Sequence, residues 1–530
     1  MRLGIDFGTT RIVVAAVDRG NYPIVSFDCP DGASRDWIPP LLAVDGQTES
    51  LLCGWDAWAA LGRKELTVVR SVKRVLPDAG PSTPVTAGPL HLAALELVAA
   101  LARYVMESLR KRSSLEIRAR EPFEIMLGVP AAANSNQRFL TIEGFRAAGF
   151  HVLGLLNEPS AASIEYSHRL GDAAAPMDQI LVYDLGGGTF DVSLVRREER
   201  SHTVVATEGM SSLGGDDFDD VLADLALEAA SPRIDRAGLN QVEEFALLEE
   251  CREKKEALSP NTRRLNIDLD RVREGWGQAV VPVAAYYEQC QPLVEETLYA
   301  AEDVLARAGA PERVTLYVTG GASELPLVSR LLRERFGRRM KRSAYARAAT
   351  AIGLAIQAGG ETEWRIRESF SRWFGVWREA DAGHRIVFDP LFEKGVQLPL
   401  PGQLPLVRTR TYSPVHNIGY FRYLECTERS AAGEPTGDVT HWDDVRFPFD
   451  PSLSGRADLD LLPVVHSEAA ARQSIEERIT ADASGAIQVR IRNTTAGYES
   501  VFELGRWASK QAAKPVRPGR RGQAARAARR

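Results

Sequence analysis

The sequence predicts an α/β domain built as two related lobes, followed by a smaller, mostly-β sandwich. Three observations predict it. Two short segments of the same design recur far apart, DFGTTRIVVAAV opening at Asp6 and DLGGGTFDVSLV opening at Asp184. Apolar strands alternate with amphipathic helices through most of the chain, which is the pattern of an α/β architecture. Beyond residue 360 the helical pattern stops and short strands of period-two alternation take over. The resulting boundaries are 1–360 for the two-lobed domain (lobes 1–175 and 176–360), 361–373 for a linker, 374–508 for the sandwich and 509–530 for a basic tail.

The elements follow in order. Residues 3–5 and 12–17 are β-prone runs around a small-residue turn, a hairpin. Leu95, Val98, Leu101, Val105 and Leu109 recur at helical spacing. A buried strand at 125–129 precedes a helix at 136–148, closed by Gly149. The second hairpin is 180–183 with 190–195, and its likeness to the first over so long a period indicates two halves rather than a solenoid. Helices are predicted at 218–230, 242–258 and 289–308, then a strand at 316–318 running into Gly320-Gly321, and a helix from Pro326. Gly359-Gly360 ends the last helix, and 364–373 reads as a connector. In the β region, Phe421 and Tyr423 alternate with Arg422. Ile487, Val489 and Ile491 alternate with polar residues, and after a turn at 493–497 the strand 498–504 returns. Trp364, Trp373, Phe374 and Trp377 read as packing residues.

Composition narrows the function classes. With 530 residues there is room for roughly three or four compact units. Hydrophobic residues at 44% and charged residues at 26% exclude a disordered or fibrous chain. A net charge of −6 argues against a nucleic-acid footprint as the main surface. Residues 510–530 carry eight Lys or Arg and no acid; the plain reading is a solubilising end, the alternatives a contact to nucleic acid, anionic lipid or an acidic partner. Cys29, Cys53, Cys251, Cys290 and Cys426 form no CxxC pair, so neither a disulfide framework nor a zinc knuckle is predicted. The first residues lack an apolar signal core and no stretch of about 18 apolar residues occurs, so a cytoplasmic protein without a membrane span is expected.

The glycine turns carry the chemistry. A phosphate chain needs close backbone approach and converging N–H donors; glycine permits the approach and threonine adds a hydroxyl. Asp6 and Asp184 stand just before the turns, where they can hold hydrated Mg²⁺, an ion that takes one or two carboxylates and keeps several waters. Either turn alone could be a tight bend between core strands, but the pair, with Gly320-Gly321 as a third, points to a grip on phosphate from two sides. No GxxxxGK[ST], HExxH or GxSxG pattern occurs, and the eight histidines are dispersed.

Taken together and in this order, these segments resemble the actin-like ATPase superfamily and, more narrowly, the DnaK-like 70-kilodalton heat-shock chaperone family. GIDFGTT, VYDLGGGTFDVS and VTGGASELP resemble its two phosphate motifs and its adenosine motif. GVPAAANSNQR and LLNEPSAA resemble its connecting segments, and LGGDDFD the loop that follows. The matches run through residues 1–358. The region after 372 is similar to the family's peptide-binding sandwich in layout, with FEKGVQLP and ADASGAIQVRIRN its best matches.

The resemblance implies a slow ATPase and chaperone that takes ATP or ADP with Mg²⁺, with K⁺ as an optional monovalent ion. It implies extended apolar polypeptide as client, and a J-domain co-chaperone and a nucleotide-exchange factor as partners. It also implies roles by position. Gly8, Thr9 and Thr10 would cradle phosphate from one side, and Gly186, Gly187, Gly188 and Thr189 from the other, with Gly214 and Gly215 in the following loop. Lys255, Ser259, Gly320, Gly321, Ala322 and Ser323 would surround the adenosine. Asp6 and Asp184 would orient Mg²⁺ through water. Lys73 would align the attacking water and steady the γ-phosphate, with Glu158 beside that water and Asp184, Thr189 and Asp191 completing the catalytic set. Pro130 and Arg138 would relay the nucleotide state outward. A lone Lys or Glu is usually a solvated surface charge; only their motif contexts lift Lys73 and Glu158 above that.

Several residues depart from the family's pattern. Arg252 replaces an acid, Glu256 stands where an Arg or an apolar residue is usual, and Glu324 replaces an Arg able to stack on adenine. Arg11 stands where Asn or Tyr is usual, and either helps hold phosphate or replaces a bound monovalent ion. The linker mixes Trp364, Ile366 and Phe370 with Arg365, Arg367 and Arg372 in place of a Leu-rich segment, which predicts altered or lost coupling between the domains. About two dozen residues follow Leu504, too few for the family's helical lid, which predicts fast release of bound segments. A non-chaperone regulator holding one dedicated partner is the alternative function; a small-molecule kinase on the same fold is weaker.

Overall fold

The computed structural model describes residues 1–61, 66–80, 83–118, 120–170, 177–199, 201–309, 314–360, 365–380, 384–400, 402–442 and 444–504. The basic tail, the 175/176 lobe boundary and Trp364 lie outside the described residues.

The first hairpin pairs β1 (Arg2–Phe7) with β2 (Ile12–Ala16), placing Asp6 opposite Val13. α1 (Ala94–Lys111) follows, then β3 (Glu124–Val129), α2 (Ser135–Ala147) and β4 (His151–Asn157). The sheet order is β4-β3-β1-β2. Leu3, Ile5, Phe7, Ile125 and Leu127 pack with Leu97, Leu101, Leu140 and Phe145 on the face covered by α1 and α2. Asn134 starts α2 by accepting the Gln137 N–H, while the Gln137 side chain returns to the Asn134 N–H.

After α3 (Glu158–Leu170), the second lobe repeats the hairpin with β5 (Met177–Leu185) and β6 (Phe190–Glu198), extended by β7 (Ser201–Met210). Three helices follow, α4 (Gly215–Ala229), α5 (Gln241–Glu256) and α6 (Val283–Arg307). Then come β8 (Thr315–Thr319), α7 (Pro326–Phe336), β9 (Met340–Arg342) and α8 (Ala349–Gly359). α6 starts six residues before the predicted position 289 and contains Pro292. Its apolar face of Val283, Tyr286, Cys290, Val294 and Leu298 is buried, and that burial outweighs the hydrogen bond the proline cannot make.

The lobes exchange one helix each. Ala162 and Tyr166 of α3 pack with Ile180, Val182 and Val195 of the second-lobe sheet. α8, late in the chain, packs Ala351, Leu354 and Ala355 against Val13 and Ala15 of the first lobe. Division by sequence at 175 therefore separates both helices from the sheets they cover. The crossing is close enough that a Cβ on Gly353 would lie 1.8 Å from the Ala161 carbonyl oxygen.

Within the linker, residues 365–367 form a strand. β10 (Arg365–Arg367) adds to the open edge of β7 in parallel, giving the order β9-β8-β5-β6-β7-β10. Ile366 is buried against the core around α8. Only one side chain of Arg-Ile-Arg must turn inward for this, so the flanking cations do not prevent docking.

The β region is a two-sheet sandwich. Strands β11 (Trp373–Ala380), β12 (Arg385–Phe392), β13 (Leu406–Tyr412), β14 (Tyr423–Arg429), β15 (Pro435–His441), β16 (Ile475–Ala481), β17 (Ile487–Asn493) and β18 (Tyr498–Leu504) form sheets β12-β11-β14-β15 and β13-β16-β17-β18. Phe374, Val376, Tyr423, Ile479, Val489 and Ile491 fill the space between them. Trp373 and Trp377 pack beside Phe388. Among the described residues no helix is long and apolar enough to cross a membrane.

Candidate functional site

The two hairpin turns meet in the cleft between the lobes, which encloses ≈ 820 Å³ including its open mouth. Asp6, Gly8, Thr9, Thr10 and Arg11 line one wall, and Asp184, Gly186, Gly187, Thr189 and Gly215 the other. Lys73 and Glu158 close the inner end; Lys255, Glu256, Gly320, Gly321, Ala322 and Arg347 line the outer part.

Glycine is required where the turns touch. A Cβ on Gly187 would sit 2.3 Å from the Thr10 side chain, so no other residue lets the two turns approach this closely. The third loop is tied to the second hairpin: the Gly215 N–H donates to the Gly186 carbonyl at 2.9 Å and the Asp216 N–H to the Gly187 carbonyl at 2.6 Å.

The inner end concentrates negative charge. Lys73 Nζ donates to Glu158 Oε1 at 2.5 Å, and both side chains are buried. Burial alone would lower the Lys73 pKa, but Glu158 and Asp6 overcome it and hold the ammonium above its usual pKa. Asp184 and Asp191 are cross-strand partners on β5 and β6. Burial, followed by the charges of Glu158 and Asp191, pushes Asp184 up to about 8. Burial and Glu158 push Asp191 up to about 7. Asp6 is raised as well, by burial and then by Glu158. Carboxylates held together in this way call for a cation beyond the single lysine. The oxygen-only donor set of Asp6 and Asp184 and the glycine cradle fit a hydrated Mg²⁺ with its phosphates.

Not every expected residue faces the cleft. Gly188 and Gly214 pack on one another behind the wall, 2.6 Å from a would-be Gly214 Cβ to the Gly188 nitrogen. Ser323 is buried and donates to the Gly320 carbonyl at 2.6 Å. Ser259 lies past the end of α5, bonded to Thr262, because the helix stops at Glu256 and the chain turns away. Lys255, within the helix, does reach the site and bonds Asp219 at 2.7 Å and the Gly215 carbonyl at 2.5 Å.

Pro130 and Arg138 lie behind the inner end. Asp191 accepts the Ala131 N–H at 2.9 Å, one residue past Pro130. Arg138 Nη2 donates to Asn157 Oδ1 at 2.7 Å, one residue before Glu158. The same Asn157 donates its N–H and its amide to Glu368 of the linker at 3.2 and 2.7 Å. At the start of α2, the Ser135 N–H donates to Glu425 of the sandwich at 3.2 Å, and Asn134 Nδ2 donates to Thr440 Oγ1 at 3.1 Å.

Sequence reading did not foresee the partners of several charges at the cleft. Arg74 bonds Asp216 at 2.9 Å across the lobes. Arg252 lies between Glu249, at 2.9 Å, and Asp216, at 3.4 Å. Arg347 joins Glu256 and Glu324 at 2.9 and 2.7 Å. The acids in LGGDDFD and the departure at Arg252 were visible signals; Arg74 and Arg347 stand in no motif and acquire partners only in the fold.

Comparison with known proteins agrees with this geometry. The family model described as Hsp70 protein matches residues 98–363. Chaperone protein HscA of Klebsiella pneumoniae (strain 342) is 34% identical over 371 residues, which cover 67% of this chain and 57% of that protein. Chaperone protein HscA of Escherichia fergusonii is 35% identical over 374 residues, with the same coverage of both chains. A chaperone protein HscA homolog of Tolumonas auensis is 32% identical over 381 residues. The match spans 57% of the length of these relatives. With duplicated hairpins, exchanged helices and a family match over half its length, this chain belongs to the Hsp70 family.

Proposed function

We propose that this chain is an ATP-hydrolysing chaperone of the DnaK type whose sandwich holds extended apolar peptide. The observation that carries the reading is the inner end of the cleft, where Asp6, Glu158, Asp184 and Asp191 share one lysine below two glycine turns. Phosphoryl transfer asks the protein mainly for positioning and electrostatic stabilisation. Gly8, Thr9, Thr10 and Gly186, Gly187, Thr189 offer backbone and hydroxyl donors to the phosphates. Lys73, steadied by Glu158, directs its ammonium at the terminal phosphate and the attacking water. Asp6 and Asp184 would hold Mg²⁺ through water; when bound, it shields the phosphate oxygens from the carboxylates.

The sandwich supplies the client site. Outer strands β12 and β18 pair on one side only, and an extended segment could add to such an edge through backbone hydrogen bonds. Two short routes join it to the cleft: Asp191 through the Pro130 loop and Ser135 to Glu425, and Glu158 through Asn157 to Glu368. A J-domain protein and a nucleotide-exchange factor are the partners this reading calls for. The test uses the full chain. Phosphate release from ATP that requires Mg²⁺, together with faster release of a fluorescent apolar peptide on adding ATP, is expected. Absence of Mg-ATP uptake by calorimetry overturns the reading.

A further inference from the structure

The outer part of the cleft carries a row of alternating charges. Arg11 Nη2 donates to both oxygens of Glu256, at 2.8 and 2.6 Å. Arg347 donates to the same Glu256 at 2.9 Å and to Glu324 at 2.7 Å. Arg11 follows Thr10 in the first-lobe turn, whereas Glu256 ends α5 in the second lobe, so the pair spans the opening. Arg11, Glu256 and Arg347 line the same cleft as Thr10 and Gly187.

Three features make the Arg11–Glu256 contact exchangeable. It uses one guanidinium nitrogen for both oxygens, not the two-nitrogen fork that arginine can offer a carboxylate or a phosphate. Its side chains keep 20% and 31% of their exposure, so a ligand entering the cleft can reach the pair. Arg11 does not depend on Glu256 for its place, because its guanidinium carbon lies 4.8 Å from the centre of the Trp37 ring. Trp37 is in turn held by Trp55 and Trp58.

We propose that Arg11 is a ligand of the nucleotide's phosphates and that Glu256 is a built-in competitor, a carboxylate occupying the guanidinium until a polyphosphate displaces it. The inference rests on the reading of the cleft as a nucleotide site. A polyphosphate brings more charge and more acceptor oxygens to Arg11 than one carboxylate, and Arg347 remains to pair with the displaced Glu256. The cleft thus has an internal counter-ligand that weakens nucleotide binding and shortens its residence.

The test is calorimetry of Mg-ADP, Mg-ATP and adenosine on the full-length protein. Glu256→Gln should tighten ADP and ATP about fivefold, Arg11→Ala should weaken both about tenfold, and adenosine should change less than about twofold in either. In the Arg11→Ala background, Glu256→Gln should have no effect. Glu256→Ala serves as the second variant and must act in the same direction as Glu256→Gln. Weaker binding on removing Glu256, or equal tightening with Arg11 absent, overturns the proposal. Failure of the unaltered protein to bind any of the three ligands overturns the nucleotide reading itself, whereas normal binding with an unresponsive Glu256 overturns this inference alone.

Discussion

The cleft and the seam between the first lobe and the sandwich both bury charge, and they treat it in opposite ways. In the cleft Asp6, Glu158, Asp184 and Asp191 gather around Lys73, and the charges of neighbouring carboxylates add to burial in raising Asp6, Asp184 and Asp191, whereas in the seam burial raises Glu425 and Glu368 against neighbours that all lower them. In the seam each carboxylate has its donors. Glu425 takes the N–H and the hydroxyl of Ser135 and lies 3.6 Å from Arg372. Arg372 also bonds Asp438 at 2.8 Å, and Glu368 takes both donors of Asn157. Buried charge is costly unless compensated. A surplus of one sign therefore marks a place that awaits a ligand, and a balanced set marks a joint.

That contrast breaks most sharply at Lys73. Removing the one lysine of the surplus side should cost chemistry; because Glu158 then loses its buried partner, thermal unfolding checks that the variant is folded before turnover is compared. Lys73→Ala is expected to lower Mg-ATP turnover by about 10²- to 10³-fold, the scale of losing one preorganised charge at a reaction centre. Phosphate release in single turnover measures it, and a rate within threefold of the unaltered protein would show that the cleft is not where chemistry happens.

The seam should answer the other way. Arg372 is only 5% exposed, and Arg372→Ala leaves Glu425 buried without its cation. A loss of about 3 kcal/mol of stability is expected. Urea unfolding should report it together with easier proteolysis at residues 365–373. If turnover falls as far as in Lys73→Ala while stability holds, the seam is part of the catalytic machinery and not a joint.

Asp184→Asn sharpens the comparison from the cleft side. It removes one of the crowded carboxylates, so the nucleotide-free protein should gain about 1 kcal/mol, as relief of functional strain commonly does. Saturating Mg-ATP should reverse the order and favour the unaltered protein. Thermal unfolding with and without nucleotide distinguishes the two, and a destabilised Asn variant without nucleotide would show that Asp184 is balanced after all.

These two regions also differ in how much of them the sequence discloses. Asp6 and Asp184 stand at glycine turns between apolar strands, so spacing and chemistry coincide there, whereas Lys73 and Glu158 were picked out only by the family resemblance of the segments around them. Glu425 and Glu368 meet Ser135 and Asn157 across more than two hundred residues, and nothing local marks them. The residues of α3 were read only as a connecting segment and α8 only as a helix ended by Gly359-Gly360, and neither reading says which sheet the helix covers, so their exchange between the lobes was hidden. The linker's mixed composition led to an expectation of altered or lost coupling, and nothing local showed that a single inward residue, Ile366, docks this segment on a sheet edge. Ser259 is the reverse case, a residue matched by its motif that lies three residues past the end of its helix and bonds Thr262.

The smallest expected effect tests whether the seam's balance is complete. Burial raises the pKa of Glu425, against the lowering influence of Arg372 and Ser135. The folded chain therefore keeps a proton on Glu425 at pH values where the unfolded chain, titrating near about 4.3, has released it. Where the folded state binds more protons, stability falls as pH rises, so this contribution is full below that value and is lost on the way up through the raised pKa. Glu425→Gln keeps an acceptor for Ser135 and cannot titrate. Its melting temperature should match that of the unaltered protein near pH 4.5 and exceed it by about 2 °C at pH 8. A gap that stays constant, or closes as pH rises, would mean that Arg372 holds Glu425 ionised in the folded protein and that the joint is neutral by pairing, not by protonation.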